Sequence, residues 1–446
     1  MFTLFIMRAW TGWLLSGVGR AKPCSTSSNF CALFPKNGRG LLCEPKQGHD
    51  KEEIKKMKRP HLFSQNVENA IDIAEQSTMA YSHFITKWEV TSNARAFYIP
   101  PYAWEMFFDA KGGNEKKCIE RNICWQKDKK YNNKIYYYSS KKEYRIANFG
   151  GKSFEFLQDK YIGSLLIVAK GEDDLYNAYV LEAQKDIDDF LEFYRLDNTN
   201  PTQCVKGLYS SNISKEKLNK IQSIVEQYTE FPTTSEICTT AQNLIISIGK
   251  LQNKDIVRNC DRLVKDWYDV DFLIFEGIEE KLYRPYIMEP IGDLNRLLRL
   301  SKVITNRRKS RAGLSLENHL SRIFDACGFI YEKHAETELH KKPDFLFPNS
   351  ECYHNVNFNQ DKLLMLAAKT TCKDRWRQVL NEADKIRNKY LFTLQPGVSH
   401  NQLKEMKSCD LTLVVPHKNL KLFDYSETQN VMDLTTFVSY IKEKQQ

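Results

Sequence analysis

Three side chains within one forty-residue stretch could do chemistry together. Asp344 opens a short apolar run, Phe345-Leu346-Phe347, bounded by Pro343 and Pro348. A second apolar run, Leu363 to Ala368, delivers Lys369. The periodicity then turns helical. Trp376, Val379, Leu380, Ala383 and Ile386 recur at three- and four-residue spacing, and Glu382 borders that face. Two strands presenting an acid and a lysine, then a helix presenting a second acid, suit phosphodiester hydrolysis. That reaction needs a hard divalent cation, and Mg²⁺ is commonly held through one or two protein carboxylates. A lysine beside them can orient water or stabilise the pentavalent phosphate. Taken without their context, Asp344 and Lys369 read more economically as surface salt-bridge partners on an α/β sheet.

Length and composition bound what must position these groups. A chain of 446 residues holds two or three domains, each able to bury a core. Lys and Arg number 65 against 56 Asp and Glu, a formal charge of +9, which favours an anionic partner, nucleic acid or an acidic membrane. The twelve cysteines are scattered without any Cys-x₂-Cys pair, which fits reduced thiols in a cytosolic protein better than a zinc site. No apolar run is long enough for a transmembrane helix, so no membrane partner is expected. The first nineteen residues are apolar, interrupted by Arg8 and lacking a basic start, which makes a poor secretory signal. Residues 1–78 are expected to be a disordered extension or a miscalled start, with Met57 and Met79 as later candidates.

Residues 79–196 read as a small strand-rich barrel, with HFITKWEV, ARAFYIP, KIYYYSS, EYRIANFG, IGSLLIVAK and LYNAYVLEA as strands. Lys141, Lys142, Arg145 and Lys152 surround Tyr144 to Gly151, where a backbone could approach phosphate closely. A charged loop without a ligand is the alternative. Residues 197–232 read as a linker and 233–446 as an α/β domain. Its first long helix starts near Arg262, which reads as structural. The basic run Arg307, Arg308, Lys309 and Arg311 is expected to precede a helix carrying Glu317, a phosphate track at a helix N-terminus. Lys373, Asp374 and Arg375 are expected to open the helix that carries Glu382. From there Arg or Lys can reach guanine O6 and N7, and Asp can accept from cytosine N4.

Several long words together resemble a known family: NRRKSRAGLSLENHL, KKPDFLFP, AAKTTCKDRWRQVLNEADKI, and LFTLQPGVSHNQLKEM with CDLTLVVP. They are similar, in order and over about residues 236–440, to the catalytic domain of EcoRII-type (type IIE) restriction endonucleases of the PD-(D/E)XK nuclease superfamily. The resemblance implies Asp344, Lys369 and Glu382 in the active site, with Asp344 and Glu382 on Mg²⁺. The second acid has moved to the next helix, because Ala367 stands at its usual place. Glu317 resembles a further acid near the metal; a solvated helix acid is its alternative. Lys373, Asp374 and Arg375 would read the GG and CC flanks of a CCWGG-like palindrome, with the central base undetermined.

FYIP, IYYYSSKKEYRIANFGG and LLIVAK resemble, less specifically, the family's N-terminal effector domain, a pseudobarrel that binds a second copy of the site. One departure is the shortened loop TSNARAF, whose only basic residue is Arg95. The expectation is therefore an α+β multidomain chain, an N-terminal DNA-binding β-pseudobarrel followed by a C-terminal α/β nuclease. It would be a cytoplasmic, homodimeric, Mg²⁺-dependent type II site-specific deoxyribonuclease acting on double-stranded DNA, partnered by a cytosine DNA methyltransferase. In the family the effector domain can sit over the catalytic cleft. The rival reading is a catalytically decayed DNA-binding protein. A repair or transposition nuclease is a third, which the word KTTCKDRWRQ opposes.

Overall fold

The computed structural model of the chain describes residues 63–93, 95–126, 129–150, 154–208, 214–289, 292–373, 375–420 and 430–446. The apolar N-terminal stretch, the alternative start at Met57, Lys152 and Asp374 lie outside the described residues.

Period-two patterns build the N-terminal sheet. In β4 (Lys129–Tyr138), Asn133, Ile135 and Tyr137 are buried while the residues between them face outward. With β1 (Met79–Phe84), β2 (Phe97–Ile99), β3 (Lys117–Trp125), β5 (Glu143–Ala147), β6 (Leu165–Lys170), β7 (Tyr176–Leu181) and β8 (Thr202–Lys206) it forms an eight-stranded sheet, ordered β2-β5-β4-β3-β7-β6-β1-β8. Every pairing is antiparallel except β3 with β7. One face wraps an aromatic core of Phe97, Trp125, Phe149, Phe154 and Phe156. The other face carries helices Gln65–Glu75 and Gln184–Phe193.

Two expectations about boundaries change here. Helix Gln65–Glu75 lies in the stretch expected to be an extension. Its Val67, Ala70, Ile71 and Ala74 form one buried face, and the Ser64 hydroxyl caps its start by accepting from the Val67 N–H. Strand β8 lies in the expected linker, yet it pairs with β1 and completes the sheet edge. Helix Lys215–Gln227 also belongs to the packed body, because Ile221 and Val225 share a cluster with Val270, Ile274 and Ile278.

The C-terminal sheet has six strands: β9 (Glu332–Lys333), β10 (Phe345–Phe347), β11 (Leu364–Ala368), β12 (Lys389–Phe392), β13 (Leu411–Val415) and β14 (Val431–Asp433). β9, β10 and β11 pair antiparallel; β11 through β14 run parallel. Parallel strands are covered on both faces, which is why β11 reads as an unbroken buried run. Helices Cys260–Met288, Leu294–Cys327 and Leu434–Gln445 cover one face through Trp267, Leu320, Phe324 and Phe437. Trp376, Val379, Leu403 and Met406 cover the other.

The basic run at 307–311 does not precede a helix. It lies inside Leu294–Cys327, a continuous helix of 34 residues capped at Asp293. No proline interrupts that stretch, and Ser315, Leu316, Leu320 and Ile323 keep its buried face in register. The expected helix-terminal anion site is therefore absent, because the dipole ends far upstream. Arg311 itself is buried. Its guanidinium meets Asp271 Oδ1 at 3.0 Å and Tyr268 at 3.3 Å, so it ties two helices together rather than facing a phosphate.

Asp271 is the hub of that joint. Its other oxygen meets Ser315, His319 Nε2 at 3.2 Å and Cys238 Sγ at 3.3 Å. Burial works to raise its carboxyl, but Arg311, His319 and Ser315 bring it down to about 2. Cys238, Asp271 and His319 have the donor types of a cation site. The Arg311 cation already fills that role, and the arrangement acts as an internal lock between helices. Asp271→Ala would strand Arg311 as an unpaired buried charge and is expected to cost about 3–5 kcal/mol in urea unfolding. In the parent, the carboxylate's contribution is present above the ordinary Asp range and is lost as pH falls through about 2.

Candidate active site

The edge of β10 and the end of β11 bring the first two candidates together. Phe345 pairs with Leu366, so Asp344 faces the last residues of β11. Its Oδ2 accepts from the Ala368 N–H at 2.7 Å and from Lys369 Nζ at 2.9 Å. The Lys369 N–H is fixed on the far side by the Phe392 carbonyl at 3.0 Å. Acid and lysine are thus held by the sheet ladder itself. Asp344 is buried, and the Lys369 side chain is partly exposed.

Glu382 joins them, but not from a helix. The expected helix ends early: it spans only Trp376–Val379, and Ala383 takes a left-handed φ of 50°. The apolar spacing reports burial correctly, since Trp376, Val379, Ala383 and Ile386 are all core. It does not report the backbone, which in this turn keeps only short-range bonds such as Glu382 N–H to the Val379 carbonyl and has its carbonyls and the Asp384 and Lys385 N–H groups held by side chains. Glu382 Oε2 is buried and accepts no hydrogen bond among the described residues. Burial pushes its carboxyl up to about 7; Lys369 opposes this, Asp344 adds to it, and Lys389 opposes it.

Glu317 comes from the long helix Leu294–Cys327 and is buried, not solvated. Burial raises its carboxyl, and the Asp344 charge raises it further, against His334, Lys333 and Lys369. His334 Nε2 lies 2.9 Å from Glu317 Oε2. The charge of Asp344 is felt by both glutamates, and so is the charge of Lys369. Three carboxylates therefore converge on one ammonium. An unsatisfied buried carboxylate oxygen among hard oxygen donors suits a hard divalent cation, Mg²⁺ among them.

The candidate DNA contacts divide. Lys373 is buried, and its Nζ donates to Ser164 Oγ at 3.0 Å and to the Glu182 carbonyl at 2.6 Å, both on the N-terminal unit. Arg375 sits at the N-cap of the short helix, 3.5 Å from Asp188. Arg308 clasps Glu279 at 2.7 and 2.8 Å and also donates to the Glu192 carbonyl at 3.2 Å. Arg307 donates to Tyr283 and stacks on Phe231. Lys309 is exposed, 3.8 Å from Glu192. Arg262 is also exposed and pairs with Asp266 along its own helix. Sequence reasoning missed the acids of helix Gln184–Phe193 that face these cations. Their one signal is the repeated acid in DIDDFLEF.

On the N-terminal sheet, Arg145 stacks on Trp88 at 4.1 Å and pairs with Glu143 at 2.8 Å, while Lys141 stands 5.6 Å from the same ring. Lys142 is exposed in the turn before β5. Arg95 departs from its expected role. Its guanidinium donates to the Leu157 and Val90 carbonyls at 2.6 and 3.4 Å, which draws it onto the fold.

Comparison with known proteins gives two family matches. Residues 75–206 match "Restriction endonuclease EcoRII, N-terminal", and residues 275–438 match "EcoRII C terminal". The chain is 44% identical over 180 residues to the type II restriction enzyme EcoRII of Escherichia coli, covering 40% of this chain and 45% of that one. It is 25% identical over 138 residues to the type II restriction enzyme SsoII of Shigella sonnei, covering 29% and 44%. The chain thus spans less than half the length of the curated relatives it matches. Among solved structures, metal-depleted Ecl18kI with uncleaved, modified DNA aligns at a TM-score of 0.41 and 18% identity, over 51% of this chain and 84% of that one. The PspGI–substrate DNA complex aligns at 0.39 and 16%, over 48% and 93%.

The raised carboxyl of Glu382 has a measurable sign. In the metal-free protein it holds its proton up to about pH 7, whereas the unfolded chain releases it in the ordinary Glu range. Its ionisation therefore removes stability as pH rises between those values. Glu382→Gln cannot ionise. Thermal unfolding without metal should find it close to the parent at about pH 5 and more stable than the parent at about pH 8.

Proposed function

The chain belongs to the family of the restriction endonuclease EcoRII, and from that premise we propose that it is a type II site-specific endonuclease cutting double-stranded DNA at a CCWGG-like palindrome. The observation that carries the reading is the convergence of Asp344, Lys369 and Glu382, with a buried oxygen of Glu382 that accepts no hydrogen bond among the described residues.

Asp344 and Glu382 would hold Mg²⁺, with Glu317 beside them. When bound, the cation supplies a Lewis acid for the scissile phosphate and for the attacking water. The chain's own groups do the rest. Lys369 Nζ is held at 2.9 Å by Asp344 and can place its charge against the phosphate oxygens as negative charge builds on them. Asp344 Oδ2 is fixed by the Ala368 N–H, so neither group needs to reorganise. Lys373, Asp374 and Arg375 would read the G·C flanks, and Arg307, Arg308 and Lys309 would follow the backbone. Two such sites are needed to cut both strands of a palindrome, which favours a two-fold homodimer. A cytosine methyltransferase would protect the host DNA.

We also propose that the N-terminal unit, whose Lys141, Lys142 and Arg145 remain candidates for a second DNA copy, controls this site. What supports control is occupancy. Lys373 is engaged by Ser164 and Glu182, Arg375 and Lys309 face Asp188 and Glu192, and the Thr370 hydroxyl accepts from Asn198 at 3.3 Å. DNA cannot use the buried Lys373 until the N-terminal unit lets go, and at the exposed Arg375 and Lys309 it must compete with the acids of that unit.

Digestion of unmethylated plasmid with Mg²⁺ tests the reading. The parent should give discrete fragments ending at CCWGG, and Lys369→Ala should lower the rate by at least about 10³-fold with DNA binding retained. Fragments at another sequence would keep the chemistry and remove the recognition assignment. Folded protein that shifts DNA and cuts none would favour the binding-only rival. Asp188→Arg with Ser164→Leu should loosen the closed arrangement and raise cleavage of one-site DNA toward that of two-site DNA; equal rates for parent and variant would remove the control.

A further inference from the structure

Glu382 stands on a turn outside any helix or strand, its N–H bonded to the Val379 carbonyl at 3.1 Å, yet a metal ligand must be held to within a fraction of an ångström. The support comes from two sides. Lys389 opens β12, an interior strand, where its N–H bonds the Asp410 carbonyl at 3.0 Å. Its side chain is buried, and Nζ donates to the carbonyls of Glu382 at 2.6 Å, Ala383 at 3.0 Å and Ile386 at 3.0 Å. An ammonium has three donors, and all three are used on one turn. From the other side, Glu338 Oε2 accepts the Asp384 N–H at 3.1 Å, and the Tyr353 hydroxyl accepts the Lys385 N–H at 3.1 Å. Tyr353 also donates to Glu338 at 2.6 Å, which joins these two acceptors.

We propose that Lys389 is the positioning residue for Glu382, completing with Glu338 and Tyr353 a clamp that holds the turn's carbonyls and N–H groups at once. Burying a lysine is costly unless its charge and donors are matched. The matching groups here are the backbone of the turn that bears the acid. An aliphatic core residue at 389 would fill the space without directing the turn. With its three donors on backbone carbonyls, Lys389 acts through the backbone of Glu382. The inference rests on the endonuclease reading above.

Mn²⁺ serves as the probe, its binding to the metal-free full-length chain followed by loss of the free-ion paramagnetic resonance signal. Lys389→Met should weaken Mn²⁺ binding by about 10- to 100-fold, as expected when support behind a metal ligand is removed. Metal-free DNA binding should stay at the parental level. Lys389→Arg, which keeps charge and donors, should recover part of the affinity. Should Lys389→Met fail to fold by circular dichroism, Tyr353→Phe decides, with an expected loss of about 3- to 10-fold. Parent-like Mn²⁺ affinity in folded Lys389→Met, or in Tyr353→Phe, would overturn the clamp. A parent that neither binds Mn²⁺ nor cuts DNA would instead remove the endonuclease reading and the clamp's purpose with it. That pattern is distinct from an active parent beside a parent-like variant.

Discussion

Burial raises the carboxyls of Glu317 and Glu382, and the charge of Asp344 raises both further. Asp344 takes Lys369 and the Ala368 N–H, Glu317 has His334 at 2.9 Å and Lys333 at 3.8 Å beside it, and Glu382 keeps a buried oxygen with no hydrogen bond among the described residues. The fold is arranged to keep them there. The β10–β11 ladder supplies the first pair, the long helix Leu294–Cys327 supplies Glu317, and the turn after Val379 supplies Glu382. None of these elements gains stability from the gathering. The stability comes from the apolar layers on both faces of the sheet, which carry the electrostatic tension at its rim.

The two units of the chain are joined by polar groups rather than by a shared apolar core. Lys373, Arg375 and Arg308 reach across to hydroxyl, carbonyl and carboxylate oxygens. Close approach of the chains at Gly163 and Gly397 is part of the same joint, since a side chain at Gly163 would strike the Gly397 carbonyl. Contacts of this type satisfy the same kind of donors that phosphates and bases satisfy. Such a joint is specific and yet exchangeable, which a hydrophobic seam of equal area would not be.

Much of this was legible in the chain. The run after Asp344 and the run before Lys369 are strands β10 and β11, and the apolar spacing from Trp376 to Ile386 names the core correctly. The failures share one cause. The apolar spacing puts Glu382 on a helix because periodicity reports which side chains are buried, and side chains from distant segments can satisfy a turn's backbone as well as a helix can. Arg311 was read as a phosphate ligand because its buried partner, Asp271, lies forty residues earlier. For Lys373 the sequence is silent on its present partner, because nothing local announces Ser164. Short-range patterns carry burial well and carry partners poorly when those partners are remote in sequence. The packed helix at Gln65–Glu75 is different, because Val67, Ala70, Ile71 and Ala74 already stand at helical spacing in the sequence.

The engagement of Lys373 changes what a binding constant for this protein means. Nucleic acid that needs that ammonium can meet only those molecules in which the joint is open. The apparent dissociation constant is then the intrinsic one divided by the open fraction. The tightness of the interdomain joint and the discrimination among sequences become separate quantities. A change at Ser164 or Asp188 would shift affinity for every sequence by the same factor, leaving the ranking among sequences where it was.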